Sequence, residues 1–512
     1  MKKNFLITIA LLLTGYFLNA QSAKIENMLN FSFVNSGAII DSNNDVDGYY
    51  FFYEIDKLKK GDREYAINIK DNELNSVATK KIINNKRTFL AASAYNNKEM
   101  LFMFINFKDK EYRLVGYDRK GNVSRDTKIP ISKKEINWLM MMEKTGYGDI
   151  LLPVDNKGFI LTTVVKNKKM GYKIQFLSSV DSVKPWTINS PENAKEILTI
   201  KPIKTNSKYL IALEGSKKSM FSNKTNLSVK VLDSDTGKTL FKKLYTKENN
   251  PKLITNAFIE DDKIVLLGEY FGAGDNIMSA KSQGLFVETF DKTGTLLNAK
   301  KIGWKNQLFK KLQMIQDTKK NTYTYFHDII KAKNGNYYAV GELYKKTASA
   351  MGIASMALSG GKSGAPVTQL TITDAVVYEF DKDFNLLNLN IYKKGKSRAP
   401  SVTDFGSPQL NAHVIEALGG FDFINIQTDP NSDKFYANFL DFNRFDKDKK
   451  GQLAFISVIY SDGKLTSDKI NVKEQRRHAI HVLPAKLGHV FILDYDKKNK
   501  ILNMHLEKMN IE

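Results

Sequence analysis

The sequence predicts an all-β fold made of repeated hairpins, and three observations support this. Apolar, alternating runs end in Asp and pass through a Gly or Asn turn into a second run. A second kind of segment, a polar turn that opens an apolar run, precedes most of these hairpins. The Asp-led turn returns at intervals of roughly sixty residues. Two hairpins in alternation make one four-stranded antiparallel unit, so the chain is expected to be a series of such units.

Both kinds of turn occur along most of the chain. The Asp-led turns contain Asp118, Asp233, Asp291, Asp381, Asp462 and Asp496. The strand-opening turns lie at 155–158, 260–263 and 333–336, with a looser copy at 207–208. Asp, Asn and Gly are suited to these positions because they supply the side-chain-bonded or left-handed backbone that a tight hairpin needs.

The number of units and the need to protect sheet edges favour a closed ring. Without the first twenty residues, 512 − 20 = 492 residues remain, enough for about eight units of roughly sixty. A radial arrangement hides the edge strands of such units. Two stacked β-sandwiches are the alternative, although they rarely repeat the same segments. The sequence therefore predicts a β-propeller of seven or eight four-stranded antiparallel blades over residues 21–512, with a few short helices.

These hairpins, each an aromatic or apolar run followed by Asp, a Gly turn and a second strand, resemble those of exported bacterial β-propellers. The similarity is greatest to uncharacterised families without an assigned activity, and it covers most of the chain after residue 20. The resemblance implies a ring of blades around a central channel, with loop-rich ends. It implies no catalytic residue.

Four segments depart from the hairpin pattern. Ser132 and Glu135 form a capping box before a predicted short helix that reaches towards Gly146. Apolar residues at helical spacing predict two more helices, one from Trp304 to Ile315 and one from Leu410 to Leu418. An insertion near 345–367, rich in Ala, Ser, Gly and Met, is interpreted as a mobile loop at one mouth of the channel.

The first twenty residues predict an export signal. Lys2 and Lys3 precede an apolar run from Phe5 to Leu18, and Ala20 stands before Gln21. An uncleaved anchor is the alternative, but the run is shorter than the roughly twenty residues of a membrane-spanning helix. No later segment predicts a transmembrane span. We expect a protein exported across the inner membrane that is periplasmic, associated with the outer surface or secreted.

Charge and composition narrow the classes of partner and chemistry. The formal net charge is +22, but most of the 77 cations are lysines spread along the chain. Because arginine reads phosphates and bases better than lysine does, nucleic acid is not the expected partner. The chain has no cysteine, which excludes disulfides, thiolate metal sites and cysteine nucleophiles. The expected partner is an unknown envelope protein or a glycan, and the expected state is a monomer.

No complete catalytic motif occurs, so no catalytic residue is assigned. The leading hypothesis is a binding or scaffold module without catalysis. The alternative is a propeller-type hydrolase or lyase that acts on a glycan with carboxylates lining the channel. His478 and His481 carry no zinc prediction, because residues three apart lie on opposite faces of a strand.

Asn43, Asp45, Asp47 and Glu54 are the strongest candidate metal ligands. Their oxygens occur at alternate positions, and Gly48 would allow a sharp turn, which is the spacing of a calcium loop. The segment after Gly48 is aromatic and predicts a strand, so the helix of an EF-hand is absent. The alternative is an Asp-Gly turn that opens a strand and leaves Glu54 exposed. Calcium is thus the one cofactor suggested, and no other is predicted.

Overall fold

The computed structural model describes residues 21–133, 135–136, 150–166, 168–219, 222, 225–246, 251–260, 262–315, 322–359, 364–429, 432–443, 452–472 and 477–509. These residues form an eight-bladed β-propeller. Each blade is an antiparallel sheet whose strands follow one another in sequence, except in the last blade. The predicted fold class is confirmed, and the number of blades is the upper of the two values expected.

The strands are numbered in chain order. Blades 1 to 4 contain β2 (Asn30–Ile40), β3 (Val46–Lys57), β4 (Asp62–Asp71), β5 (Ser76–Asn85), β6 (Thr88–Tyr95), β7 (Glu99–Asn106), β8 (Glu111–Asp118), β9 (Val123–Pro130), β10 (Leu151–Val154), β11 (Gly158–Lys166), β12 (Met170–Ser178), β13 (Trp186–Asn189), β14 (Ile197–Thr205), β15 (Tyr209–Lys217), β16 (Asn226–Asp233) and β17 (Thr239–Tyr245). Blades 5 to 7 contain β18 (Lys252–Glu260), β19 (Lys263–Tyr270), β20 (Gly284–Phe290), β21 (Leu296–Gly303), β22 (Tyr323–Lys331), β23 (Tyr337–Ala348), β24 (Thr368–Phe380), β25 (Leu386–Tyr392), β26 (Ser397–Pro400), β27 (Phe423–Asp429), β28 (Lys434–Asn443), β29 (Gln452–Ser461) and β30 (Lys464–Asn471). Blade 8 contains β31 (His478–Pro484), β32 (His489–Asp496), β33 (Ile501–Lys508) and β1 (Ser22–Ile25).

The first strands of the blades surround the central channel. The first strand of blade 1, β2, contacts the first strands of both neighbouring blades, β6 and β31, and the same contact continues through β10, β14, β18 and β22. In each antiparallel blade, the connections between strands one and two and between strands three and four lie at one end. We name this end the hairpin face. All other connections lie at the opposite end, which we name the insertion face.

The N-terminal strand closes the ring. Strand β1 pairs with β33, so the outermost strand of blade 8 comes from the start of the described chain and the other three come from its end. Ile25 and Met28 are buried in the core that blade 8 shares with blade 1. The two ends of the propeller are therefore joined by hydrogen bonds and by apolar packing.

The Asp-led turns have the geometry that the sequence predicts. In blade 2, Asp118 Oδ1 accepts hydrogen bonds from the backbone N–H groups of Lys120 and Asn122, each at 2.8 Å. Asp381 repeats this in blade 6 with residues 383 and 385. Gly121 has a φ of +74°, which favours glycine. The turns are thus held by side chains within the turn itself.

The insertion face carries the helices. Within the described residues, the α-helices are α1 (Phe309–Ile315), which continues a π-helical turn at Trp304–Leu308, α2 (Ala350–Leu358) and α3 (Pro408–Ala417). A short 3-10 turn lies at Lys59–Gly61. Helices α1 and α3 confirm two sequence predictions. The capping box is also present, because Glu135 Oε2 accepts from Ser132 N at 2.6 Å and Glu135 N donates to Ser132 Oγ. Most of the predicted helix after it lies outside the described residues, as do residues 1–20.

The predicted mobile loop near 345–367 has regular structure in its described part. Strands β23 and β24 extend beyond the blade, pairing Lys345 with Thr371 and Ala348 with Thr368. Strand β26 adds to the same extension by pairing with β24. Helix α2 follows β23, and its N-cap is Ser349, whose Oγ accepts from Gly352 N. We name this three-stranded extension with α2 the arm. The prediction of a loop is therefore wrong for Ala350–Leu358, which is helical because Ala and Met favour helices.

Candidate functional site

A polar groove on the hairpin face lies between blades 2 and 3. It encloses about 460 Å³ and is lined by Glu99, Ser124, Arg125, Ser179, Asp181, Lys184 and their neighbours. The loop between β12 and β13 forms one wall, and the start of β9 forms the other. This volume lies within the range of small-ligand sites. The groove is therefore large enough for a small polar ligand.

The floor of the groove is a buried carboxylate with a full set of donors. Glu99 is 4% exposed. Its Oε1 accepts from Ser124 Oγ at 2.8 Å and from Arg125 Nε at 3.2 Å. Its Oε2 accepts from Arg125 Nη2 at 3.3 Å and from Ser179 Oγ. Because Glu99 fixes the hydroxyls and the guanidinium, these groups face the groove in a defined geometry, while Asp181 and Lys184 are exposed at its rim.

A second group of charges lies where first strands end at the hairpin face. Asp41 follows β2, Asp155 lies between β10 and β11, and Lys204 is near the end of β14. Burial raises the pKa of Asp155, with Asp41 adding to the rise and Lys204 opposing it. Burial also raises the pKa of Asp45, assisted by Asp41 and Asp429. Carboxylates from three blades, with a lysine from a fourth, therefore influence one another at this mouth of the channel.

The most deeply buried charges lie near the insertion face, in blades 6 and 7. His327 occupies a β-bulge of β22, between the residues that pair with Gly341 and Val340. A bulge redirects one side chain out of the regular alternation. The imidazole Nε2 lies 3.0 Å from Glu342 Oε2, and Nδ1 lies 3.0 Å from Glu416 Oε1. Although burial lowers the pKa of His327, the two carboxylates outweigh it and raise the pKa to about 9.

Lys394 completes this buried cluster. Its ammonium lies 2.8 Å from Glu342 Oε1 and also pairs with Asp422. Glu342 Oε2 accepts in addition from the backbone N–H groups of Asp422 and Phe423. Burial raises the pKa of Glu342, but Lys394 and His327 bring it below its ordinary value. The side chains of His327, Glu342 and Lys394 are fully buried, so they cannot reach a substrate in this conformation.

The buried glutamate of this cluster, Glu342, has counterparts at the equivalent position in two other blades. Glu214, Glu269 and Glu342 each occupy the sixth position of the same apolar segment in blades 4, 5 and 6. Glu214 pairs with Lys242 and accepts from Tyr172 Oη at 2.7 Å. No ion pair is recorded for Glu269 among the described residues, and burial raises its pKa to about 8. The three blades thus place the same residue in three electrostatic environments.

The predicted calcium ligands contact different residues and do not all meet at one site. Asp41 Oδ1 accepts from the N–H groups of Asn43 and Asp45, at 2.8 and 2.9 Å, which makes a side-chain-bonded turn. Asp47 pairs with Arg119 of blade 2 at 3.0 Å. Glu54 pairs with Arg63 at 2.9 Å. It lies seven residues beyond Asp47 on strand β3, about 23 Å at the usual rise per residue.

The structure therefore brings Asn43 and Asp45 together and does not bring Glu54 to them. Within the described ranges, no three acidic or histidine side chains gather as a group able to hold a metal ion. Calcium binding remains a prediction. His478 and His481 both lie on β31, as the sequence predicts, and His478 Nδ1 is 2.7 Å from Asp494 Oδ1.

Sequence reasoning did not identify His327, Lys394 or the groove residues. A signal for the first existed, because His327-Asp328 interrupts an otherwise apolar and aromatic strand. The repeated glutamate was a second signal, since a carboxylate that recurs inside an apolar segment must find a partner. Nothing comparable marks the groove, whose walls come from two blades.

Sequence comparison identifies a family for the chain, and structure comparison finds similar solved structures. No helix in the described part of the chain has the length and apolar character to cross a membrane. No curated protein matches the sequence. Among solved structures, prolyl oligopeptidase B from Galerina marginata is similar, with 10% identity, a TM-score of 0.38, and coverage of 92% of this chain and 56% of that one. The quinohemoprotein alcohol dehydrogenase of Comamonas testosteroni is similar too, with 9% identity, a TM-score of 0.41, and coverage of 96% and 80%.

A third similar structure, from work on two prolyl endopeptidases, has 11% identity and a TM-score of 0.41 and covers 91% of this chain. The chain spans about 55% of that protein's length. The sequence also matches a family over residues 1–510. The chain therefore belongs to DUF6770, a family of unknown function.

Proposed function

We propose that the chain is an exported cell-envelope or secreted β-propeller that binds a partner and performs no catalysis. The observation that carries this proposal is the polar groove between blades 2 and 3. Its hydroxyls and guanidinium are fixed by Glu99, its rim is charged, and its volume of about 460 Å³ suits a small polar ligand. The features of residues 1–20 support export.

A glycan fits this groove better than an apolar ligand does. Saccharide hydroxyls can both donate and accept, so they can bond to Ser124, Ser178 and Asp181 without leaving buried polar groups unpaired. Arg125 and Lys184 would favour a saccharide that carries a carboxylate or phosphate. A protein partner would have to insert a polar side chain into the same space.

The test is binding of the chain from Gln21 onward to an array of bacterial cell-wall and capsular oligosaccharides. We expect binding to acidic oligosaccharides and a loss of about ten-fold in affinity in the double variant Asp181→Asn, Lys184→Gln. These residues are exposed, so the fold should be retained. Lys120→Gln is the matched control, because Lys120 is an exposed lysine on the same face outside the groove. Binding that is absent, or equal in the double variant and the control, would refute the groove as the ligand site.

A second candidate function rests on the carboxylates at the channel mouth. The raised pKa of Asp155 is a property of general acids in glycan hydrolases and lyases. If the chain cleaves a glycan that it binds, Asp155→Asn should abolish the release of reducing ends, whereas Asp235→Asn, on an exposed turn of blade 4, should not. Binding without any release would favour the non-catalytic proposal.

A further inference from the structure

The arm presents an apolar tip at the insertion face. Met351 is 84% exposed and Leu358 is 90% exposed, at the two ends of α2. Phe405 is 94% exposed on the loop that follows β26. Exposed apolar side chains grouped in this way mark interaction surfaces rather than ordinary surface positions.

Hydrogen bonds hold both parts of the tip to the same short segment. Asp404 accepts from the backbone N–H groups of Val367 and Thr368, at 3.1 and 2.8 Å. Ser349 N, at the start of α2, donates to Val367 O at 2.7 Å. Phe405 and helix α2 are therefore anchored side by side.

The side chains of Lys346 and Asn411 also hold the loop that contains Phe405. Lys346 Nζ donates to the carbonyl oxygens of Asp404 and Gly406, at 2.7 and 2.8 Å. Asn411, fully buried in α3, accepts from Val402 N at 2.9 Å and donates to Gly406 O. Phe405 is thus exposed on a constrained backbone, so its ordering cost on binding is small.

Most charges on the described residues around the tip are positive, and the exception is Asp404, whose carboxylate is bonded to the backbone N–H groups of Val367 and Thr368. Described residues 343–359 and 364–373 contain Lys345 and Lys346 and no acidic residue, and residues 384–403 contain Lys393, Lys396 and Arg398 at the surface, again with no acidic residue. Lys345 and Arg398 both pair with Thr371 across the arm, so they share one face of its sheet. A rigid apolar tip with basic flanks is complementary to an anionic lipid surface, where lysines meet headgroups and apolar side chains enter the acyl boundary.

We propose that the arm docks the propeller on a membrane surface rich in anionic lipid. Met351, Leu358 and Phe405 enter the interface, and Lys345, Lys396 and Arg398 contact the headgroups. Because the arm lies on the insertion face, docking leaves the groove on the hairpin face directed away from the lipid. This inference does not depend on the proposed glycan binding, and either can fail alone.

Vesicle co-sedimentation of the chain from Gln21 onward tests the proposal. We expect binding to vesicles of phosphatidylcholine and phosphatidylglycerol in equal parts, with much weaker binding to phosphatidylcholine alone and a loss at high salt. The triple variant Met351→Ser, Leu358→Ser, Phe405→Ser should bind at least ten-fold more weakly. The double variant Val123→Ser, Leu297→Ser is the matched control, because these residues are exposed away from the arm and should leave binding unchanged.

A second measurement reports on the tip itself. Phe405→Trp should give tryptophan emission that shifts to shorter wavelength with anionic vesicles, beyond the shift of the parent protein. Arg398→Gln should weaken binding roughly five-fold, on anionic vesicles only. Equal vesicle binding by the triple variant and the control would overturn the proposal. So would no vesicle binding at all, or a dimer in light scattering that the triple variant abolishes, which would assign the tip to a second copy of the chain.

Discussion

At the scale of single residues, Lys394 balances the charge of the buried cluster. Its ammonium is the partner of both Glu342 and Asp422, and none of its side chain reaches solvent. Breaking a buried ion pair costs much more than breaking a surface pair because the remaining charge has neither water nor a partner. The cluster therefore depends on every member being present.

Lys394→Met should lower the free energy of unfolding by about 3–5 kcal/mol, because two buried carboxylates lose their cation. Urea unfolding at neutral pH measures this. Lys242→Met is the matched control, since Lys242 pairs with the repeated glutamate of blade 4 but is 48% exposed. The loss of unfolding free energy in Lys242→Met should be clearly smaller than in Lys394→Met. Equal losses would mean that burial does not set the contribution of these pairs.

Unlike Lys394, Glu269 lowers the stability of the protein at neutral and higher pH, because no cation among the described residues pairs with its buried carboxyl. Its pKa in the folded protein is about 8, above the ordinary 4.5. The folded state therefore keeps a proton that the unfolded state releases, and the associated stability is full below pH 4.5 and is lost as pH rises to about 8. The expected contribution is about 1.4 kcal/mol for each unit of pKa difference.

Glu269→Gln should therefore remove this loss, and its melting temperature should exceed that of the parent protein at pH 8 but not at pH 4. Glu214→Gln provides a control of opposite sign. The pKa of Glu214 is lowered, because Lys242 and Tyr172 outweigh the effect of burial. That substitution should destabilise at neutral pH. Parallel pH profiles for both variants would contradict the assigned environments.

At the scale of elements, the sequence predicts turns and strands, whose contacts are local in the chain. An Asp-led turn is decided within five residues, as Asp118 with Lys120 and Asn122 shows, so the hairpins and their strands could be read directly. The buried cluster could not be predicted, because His327, Lys394 and Asp422 together span almost a hundred residues of the chain and meet only through the packing of blades. The groove likewise joins Glu99 to Ser179 across two blades.

The arm gives an element-scale prediction. Lys346→Met should release the loop of residues 402–406, because Lys346 Nζ donates to three of its carbonyl oxygens. Hydrogen bonds from a charged donor contribute about 1.5–3 kcal/mol, so amide exchange in this loop should accelerate roughly ten-fold or more. Lys345→Met is the control, as the adjacent residue faces the other side of the strand. Unchanged exchange in the loop would show that Asn411 and Asp404 hold it unaided.

At the scale of the whole molecule, the ring depends on a contact that no local pattern announces. The repeat interval predicted seven or eight blades, and the hairpins fixed their composition. Neither pattern reveals that the last blade takes its outer strand from the start of the described chain. The pairing of Ile25 with Leu502 joins residues separated by almost the entire sequence, so no local signal marks it. Closing the ring costs the chain conformational entropy, because its two ends must be held together. The pairing of β1 with β33 and the apolar packing of the segment that contains β1 offset this cost.

A chain that begins at Asn30 should therefore fold less stably than one that begins at Gln21. It lacks the four residue pairs between β1 and β33 and also the side chains of Ile25 and Met28, which are 7% and 2% exposed. Burial of two such side chains contributes about 1.5–3 kcal/mol each. Urea unfolding and amide hydrogen exchange test this. The backbone amides of blades 8 and 1 should exchange first, because the opened ring ends at these two blades. The chain from Gln21 carrying Ile25→Ala separates packing from pairing, since it keeps β1. If the shortened chain unfolds at the same urea concentration, blade 8 is stable with three strands and the N-terminal strand does not close the ring.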